Sequence, residues 1–338
     1  MSACQPSFTL PARIRPAERG DWSNRALLGD YFSSSTPIGR GLECSAIQSL
    51  FARALEPPIA LGLFAEASAG SIAGLIVENK DWDSELLSVR IQNLTMVSAA
   101  ANQASRYEIA SRLCVHLLQN HREVLGDCIF ARIPSDDASL LRVLEESGFH
   151  VLVPMVTLGR KLSGDRAHDP GINGSPALGD GMDFDELHPE TDVDQIERIA
   201  ATAFRYGRFT ADLRIPRDRV EKLHRTWARN CCLGKQADHM IVCRYRGEVL
   251  GFIALKFQLA HHVRVGAIEL IAISENSRGK GIGRALVQHG CAWLSRFTNY
   301  AVVRTELPNT SAVGLYEGQG FHIVNGSLYL SRWQNSPA

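Results

Sequence analysis

Residues 267–285 read AIELIAISENSRGKGIGRA. The opening run, 267–273, is short, apolar and rich in β-branched residues, the pattern of a buried strand. Residues 286–297 then take up the spacing of an amphipathic helix, so the stretch between is a strand-to-helix turn. Gly279, Gly281 and Gly283 stand at alternate positions within that turn. Glycines placed this way let the main chain approach a ligand without Cβ clashes, with successive amides aimed at an anion from a helix N-terminus. A diphosphate is the natural guest. Orphan amides and the helix dipole both favour it, the dipole by roughly 0.3–1 kcal/mol, and Arg278 or Lys280 would add charge-assisted bonds. Spacing alone leaves a dinucleotide fingerprint, a P-loop or a plain tight turn open. A fingerprint wants an early βαβ unit with an acidic residue ~20 positions on, and a P-loop wants Gly-Lys-Ser/Thr at its end. Neither condition is met.

Outward from the turn, residues 301–305 read as a further strand. Pro308-Asn309-Thr310 starts a helix over 311–319, closed by Gly320. The same order occurs earlier in the chain. When the sequence is slid along itself so that Gly148-Phe149-His150 falls on Gly320-Phe321-His322, Arg106 falls on Arg278 and Asp137 on Asn309 with no gap between them. Upstream of each copy lies a hairpin pattern, 59–66 with 72–78 in the first and 240–245 with 249–257 in the second. Between the copies, residues 161–190 lose apolar periodicity and collect Gly164, Gly171, Gly174, Gly179, Gly181, Pro170, Pro176 and Pro189, the composition of a linker. The expected organisation is a domain over 1–160, a linker over 161–190 and a second domain over 191–334. Each domain is expected to be of α/β class with a mixed sheet.

Composition removes several function classes. With 338 residues there is room for about two domains that each bury a core. Lys plus Arg number 36 and Asp plus Glu 36, so no global positive field draws the chain onto nucleic acid or anionic lipid. The 45% hydrophobic and 21% charged content is that of an ordinary globular protein rather than a disordered one. Cys4, Cys44, Cys114, Cys128, Cys231, Cys232, Cys243 and Cys291 form no C-x-x-C pair, and the adjacent His261-His262 would point to opposite faces of a strand. No metal site is expected. The absence of a basic-then-apolar N-terminal segment and of any run of ~18 apolar residues leads to the expectation of reducing cytoplasm, with no membrane contact.

Two ordered motifs carry a family resemblance. Arg278, Gly281 and Gly283 fit R/Q-x-x-G-x-G/A, and Asn309, Ala312, Tyr316, Gly320 and Phe321 fit N-x-x-A-x-x-x-Y-x-x-x-G-F. Together they resemble the GNAT superfamily of acyl-CoA-dependent N-acetyltransferases. Within it, Ala203-Phe204-Arg205-Tyr206-Gly207-Arg208-Phe209, Val303-Arg304 with Asn309-Thr310, and Trp82-Asp83-Ser84-Glu85 resemble the TDP-fucosamine (TDP-4-amino-4,6-dideoxygalactose) acetyltransferases. The last motif departs from the pattern, continuing with Leu86-Leu87 where an aromatic pair and glycine are expected.

The resemblance implies two GNAT-like domains in tandem and acetyl-CoA as the acyl donor, without a metal. Arg278, Gly279, Lys280, Gly281, Ile282, Gly283 and Arg284 would hold the diphosphate. The backbone of Leu270, Ile271, Ala272 and Ile273 would pair with the pantetheine arm and polarise the thioester carbonyl. Asn309 and Ala312 would help seat the cofactor. Tyr316 would protonate the leaving thiolate, a transfer between groups with pKa values near ~10 and ~8.5, while Glu269 would take the proton of the attacking amine. On the acceptor side, Arg205 and Arg208 would grip a sugar-nucleotide diphosphate, with Phe204, Trp82 and Asp83 as further substrate contacts. A helix tyrosine filling core, a surface glutamate and a solvated arginine face are the non-catalytic readings of the same residues.

In the first copy Gly279, Gly281 and Gly283 become Tyr107, Ile109 and Ser111, and Tyr316 becomes Leu144. The N-terminal domain is therefore expected to be degenerate, leaving one acetyl-CoA site per chain. The implied partner is a small-molecule amine, foremost a nucleotide sugar. Other amines stay open, namely an aminoglycoside, a polyamine, a mycothiol-type pseudo-disaccharide or a protein N-terminus, as does a non-catalytic acyl-CoA-binding module. A homodimer is left open by the sequence.

Overall fold

The computed structural model describes residues 12–18, 21, 58–67, 70–100, 102–162, 181–260 and 263–334. They fall into two compact units: one runs to Leu152 and takes up the chain again from Ser327, and the other runs from Val153 to Gly326.

In the first unit, β1 (Ala12–Pro16), β2 (Ile59–Ala67), β3 (Ile72–Asn79) and β4 (Ile91–Ala99) pair antiparallel in that order, with α1 (Asp81–Leu87) between β3 and β4. β4 then runs parallel to β5 (Cys128–Pro134), the two being linked through α2 (Gln103–Asn120). α3 (Ala138–Glu146) follows β5 and leads to Gly148, whose φ of 82° closes the helix in the left-handed region. The core is built from the apolar positions of β2, β3 and β4 with Ile109, Leu113 and Leu117 of α2 and Leu140, Val143 and Leu144 of α3.

In the second unit, β7 (Met182–Glu186), β8 (His239–Tyr245), β9 (Glu248–Ala260) and β10 (Val263–Ile273) form an antiparallel run. β10 is parallel to β11 (Tyr300–Glu306), which is antiparallel to β6 (His150–Lys161). The strands alternate cleanly between two cores. Met240, Val242, Phe252, Ala254, Leu270 and Ala272 face α4 (Pro189–Ala203) and α6 (Arg217–Cys232). Ile241, Cys243, Ile253, Leu255 and Ile268 face α7 (Ile282–Leu294) and α8 (Thr310–Glu317). A short helix, α5 (Arg208–Ala211), links α4 to α6.

The repeat is structural. Asp137 caps α3 by accepting from the Leu140 amide at 3.0 Å, and Asn309 caps α8 by accepting from the Ala312 amide at 3.4 Å. Gly148 and Gly320, with φ of 82° and 76°, close the equivalent helices.

Two expectations change. The linker segment is structured at both ends: Lys161 is the last residue of β6, Met182–Glu186 forms β7, and Pro189 opens α4, while 163–180 lie outside the described residues. The two copies also exchange their last strands. Residues 155–161 of β6, encoded in the first copy, pair with β11 of the second unit. Residues 327–333 of β12 (His322–Trp333), encoded in the second copy, pair with β5 of the first. Both strands start from the same Gly-Phe-His context, so local pattern specifies a strand at each place without specifying its neighbour.

α2 starts far earlier relative to the repeat than α7 does. Its helix runs straight through Tyr107, Ile109 and Ser111, the positions matching Gly279, Gly281 and Gly283. Arg106, the counterpart of Arg278, is tied to Asp137 by a 2.7 Å ion pair that is almost fully buried, and bonds Ser98 at 3.2 Å. Removing one partner of such a pair strands the other charge. Asp137→Ala should therefore lower stability by about 3–5 kcal/mol, read from urea unfolding. Asp137→Asn should lose less, by about 1 kcal/mol, because it keeps a cap acceptor.

Candidate active site

The parallel pairing of β10 with β11 covers only Gly266↔Ala301, Ala267↔Val302 and Ile268↔Val303, although β10 continues to Ile273 and β11 to Glu306. Past Ile268 the two strands part. A register shift between Ile268 and Leu270, on the β9 side, makes Glu269 the extra residue of a bulge. Main-chain groups of Leu270, Ile271, Ala272 and Ile273 on the β11 side are thereby freed from the ladder, and such groups need a partner.

β10 ends in a 3-10 turn, Glu275–Ser277, followed by the glycine turn. Gly279 and Gly281 have φ of 75° and 80°, a region that favours glycine. Gly283 has a different role from the expected close approach to ligand. A Cβ there would lie 3.2 Å from Ile273 Cδ1 and 3.4 Å from Leu315 Cδ2, so its bareness lets the first turn of α7 pack on β10 and α8. Gly281 is the N-cap of α7 and offers no side-chain cap. Among the described residues none of the amides of 279–284 donates to a protein acceptor. Arg278, Lys280 and Arg284 are exposed around them and Ile282 is buried beneath. The result is an uncapped helix N-terminus ringed by three cations, a ready site for a multiply charged anion.

Tyr316 projects from α8 into the second unit's core, 3% exposed and 5.8 Å from the Phe321 ring. Its hydroxyl has no hydrogen-bond partner among the described residues. Burial first, and the Glu306 carboxylate second, push its pKa upward, so the phenol stays protonated through the neutral range. Asn309 spends its side-chain oxygen on the Ala312 amide, and Ala312 packs on the core around Tyr316. Glu269 is half-buried; desolvation raises its pKa, while Lys256 and Arg304 pull it the other way.

Between α4, α5 and α6 lies a cavity of about 400 Å³, walled by Phe204, Arg205, Thr210, Arg217, His224 and Glu275 among others. Of the expected acceptor residues, Phe204 and Arg205 line it, and Arg205 bonds Glu275 at 2.7 Å. Arg208 is absent from its wall; the guanidinium lies 4.4 Å over the Phe209 ring and near Glu306. Trp82 and Asp83 belong to α1 of the first unit, Asp83 buried. Thr210, Arg217, His224 and Glu306 escaped the sequence reading, since no spacing rule links them to the glycine turn. Thr210 Oγ1 is buried without a partner, and His224 lies against Phe204 with ring centroids 5.1 Å apart.

His261-His262 lie outside the described residues. The six described cysteines are buried and form no disulfide, and burial pushes the thiols of Cys231 and Cys232 up to about 12. Among the described residues there is no group of three or more His, Cys, Asp or Glu arranged for a metal, and no helix is long and apolar enough to cross a membrane.

Residues 194–321 match the family model described as "Acetyltransferase (GNAT) family". Among curated relatives, the spore coat polysaccharide biosynthesis protein SpsD of Bacillus subtilis is 24% identical over 82% of this chain and 89% of its own. The dTDP-fucosamine acetyltransferase of Escherichia coli is 26% identical over 60% of this chain and 80% of its own. Among solved structures, a tandem GNAT protein from the clavulanic acid biosynthesis pathway matches with a TM-score of 0.55 at 11% identity, covering 97% of this chain and 100% of that one. That match shows the fold.

Burial pushes the His224 imidazolium down to about 4 from its ordinary 6.5. The unfolded chain then binds the proton first as pH falls, so stability is full above 6.5 and drains away towards 4. Between pH 7.5 and 5.0 the wild type should lose about 2 kcal/mol more than His224→Gln. Paired urea titrations at the two pH values read the difference; equal losses would mean that the imidazole is not shielded.

Proposed function

Residues 194–321 being a GNAT-family N-acetyltransferase domain, we propose that the protein transfers the acetyl group of acetyl-CoA to the primary amine of a nucleotide-linked amino-deoxy sugar. The observation that carries the donor is the parting of β10 from β11 above a turn of uncapped amides. Acetyl-CoA supplies an activated acyl group on a good leaving thiolate. The amides of 279–284, with Arg278, Lys280 and Arg284, hold the diphosphate; the freed edge of 270–273 takes the amides of the pantetheine arm and polarises the thioester carbonyl. Asn309, by fixing the start of α8, sets where Tyr316 stands.

Tyr316 acts as the acid. Its raised pKa looks unfavourable for protonating a thiolate, but the same dry surroundings raise a thiolate beside it, so the transfer stays close to balance. Glu269, pushed up by burial, is the better matched to accept a proton from the amine near neutral pH.

For the acceptor, the cavity between α4, α5 and α6 offers the Phe204 face, the orphan Thr210 hydroxyl and Arg205 and Arg217 at its wall. This set suits a polar ligand with a ring and phosphates. Arg217, exposed at the first turn of α6, takes the phosphate role first assigned to Arg208. Similarity to a dTDP-fucosamine acetyltransferase supports the same class. The first unit, its turn replaced by helix and its Arg106 neutralised by Asp137, is proposed to bind no acetyl-CoA. The reaction takes place in the cytoplasm in this reading.

Tyr316→Phe should lower kcat by about 10²–10⁴-fold while leaving the calorimetric Kd for acetyl-CoA within about two-fold and the fold intact, since the lost hydroxyl has no partner. Unchanged turnover would remove the acid.

A thiol-release assay across amines tests the acceptor. TDP-4-amino-4,6-dideoxygalactose should give the highest kcat/KM against kanamycin, spermidine, a cysteinyl pseudo-disaccharide and a peptide N-terminus. A better rate with any of these would overturn the sugar-nucleotide assignment.

A further inference from the structure

Glu306 ends β11 and is held on both sides of its backbone: its Cα pairs with Met155 across the antiparallel ladder, and its carbonyl accepts from the Asn309 amide at 3.0 Å. Alternation along β11 places Ala301 and Val303 in the core against α7, so Arg304 and Glu306 emerge on the opposite face. That is the face on which Leu270 and Ala272 meet α4 and α6, and on which Glu269 lies within electrostatic reach of Arg304. Two half-buried carboxylates, Glu269 on β10 and Glu306 on β11, thus flank the gap where the strands part.

Glu306 differs from an ordinary structural carboxylate. No other residue donates a hydrogen bond to it among the described residues, and Arg208 acts on it only through space. One of its oxygens, Oε1, lies 3.5 Å from where a Cβ on Gly207 would be, so the bare residue there leaves the carboxylate uncovered by the α4–α5 connection. Its neighbour on the other side is the acid Tyr316, whose pKa it helps to raise. A partly desolvated anion whose one donor is its own backbone amide costs stability, and a site that keeps one is arranged for a cation that arrives later.

We propose that Glu306 receives the acceptor's ammonium group, holding the amine in the gap between β10 and β11 on the side of Tyr316. The inference rests on the acetyl-transfer reading above and deepens its acceptor half. Once held, the ammonium releases a proton towards Glu269 through intervening water, and the freed lone pair faces the carbonyl polarised by the 270–273 edge. Glu306 itself neither gains nor loses a proton. Because the bond is to the ammonium rather than to the sugar or nucleotide, the proposal is independent of which amine proves best.

The test compares wild type with Glu306→Gln and Glu306→Asp, using TDP-4-amino-4,6-dideoxygalactose as acceptor. If wild type does not acetylate that sugar, kanamycin and spermidine are assayed in turn. The glutamine variant should raise the acceptor KM by about 10–100-fold, the range of a lost charged hydrogen bond, with the acetyl-CoA Kd within about two-fold. The aspartate variant should recover part of the loss. The melting temperature of Glu306→Gln at pH 8 should be equal to or above wild type, because a half-buried charge with no donor from another residue has been removed; this reading requires no acceptor. An acceptor KM within about three-fold of wild type would overturn the proposal. So would a melting temperature lowered by several degrees, the mark of a structural partner to Arg208. Failure of wild type to bind acetyl-CoA would instead strike the acetyl-transfer reading, leaving the melting comparison to decide the state of Glu306.

Discussion

Everything at the candidate site follows from a parallel strand pair that stops pairing before either strand ends. Beyond Ile268 and Val303 the main chain of β10 loses its β11 partner yet stays extended, because the bulge at Glu269 turns Leu270 and Ala272 into the core against α4 and α6. Unpaired amides and carbonyls are expensive away from water, each costing on the order of 1–3 kcal/mol when left unmatched. Burying two aliphatic side chains recovers a comparable amount. The packing on one face thus keeps open an edge that the backbone by itself would close, and an extended ligand with its own amides is what such an edge accepts.

The two copies within the chain show which parts of this arrangement are structural. Both keep a short parallel pairing, a capped helix after the second strand and a glycine in the left-handed region at the end of that helix. These features serve chain geometry, and each is present twice. The features found once are the positive-φ glycines at 279 and 281, the uncapped start of α7 and Tyr316. In the first unit the matching residues continue as helix, and Asn102 caps that helix by accepting from the Ser105 amide at 2.9 Å. Arg106 has meanwhile found a buried carboxylate. At these positions of the first unit the cation is neutralised and the amides are spent within the helix, the reverse of the state at 278–284.

Much of this was legible in sequence because it is local. The β10 strand, the glycine turn, the α8 cap and the closing Gly320 are each set by residues a few positions apart, where periodicity and φ preference act. The strand exchange was not, since β6 and β12 carry the same local signals and only tertiary packing chooses their neighbours. The reason for Gly283 was missed on the same ground: Leu315, one of the side chains it makes room for, lies on another helix. The cavity suffered most. Arg205 was expected on the acceptor side, yet its bond to Glu275, the orphan Thr210 hydroxyl and the shielded His224 depend on how α4, α5 and α6 converge, which no spacing along the chain reports.

Electrostatically the second unit keeps two separate regimes. The turn at 278–284 sets exposed cations and amides in water, where Coulomb attraction is screened and many weak contacts must add up. Around Tyr316, Glu269 and Glu306 burial dominates, and all three are pushed towards their neutral forms. Proton transfer benefits from the second regime, because groups of unlike intrinsic pKa are drawn together when each has lost its water. Anchoring benefits from the first, because a charged tail held in solvent can be released after each turnover. A ligand long enough to span both would be gripped at its wet end and react at its dry one. The parted strands are the structure that lets one molecule reach from one regime to the other.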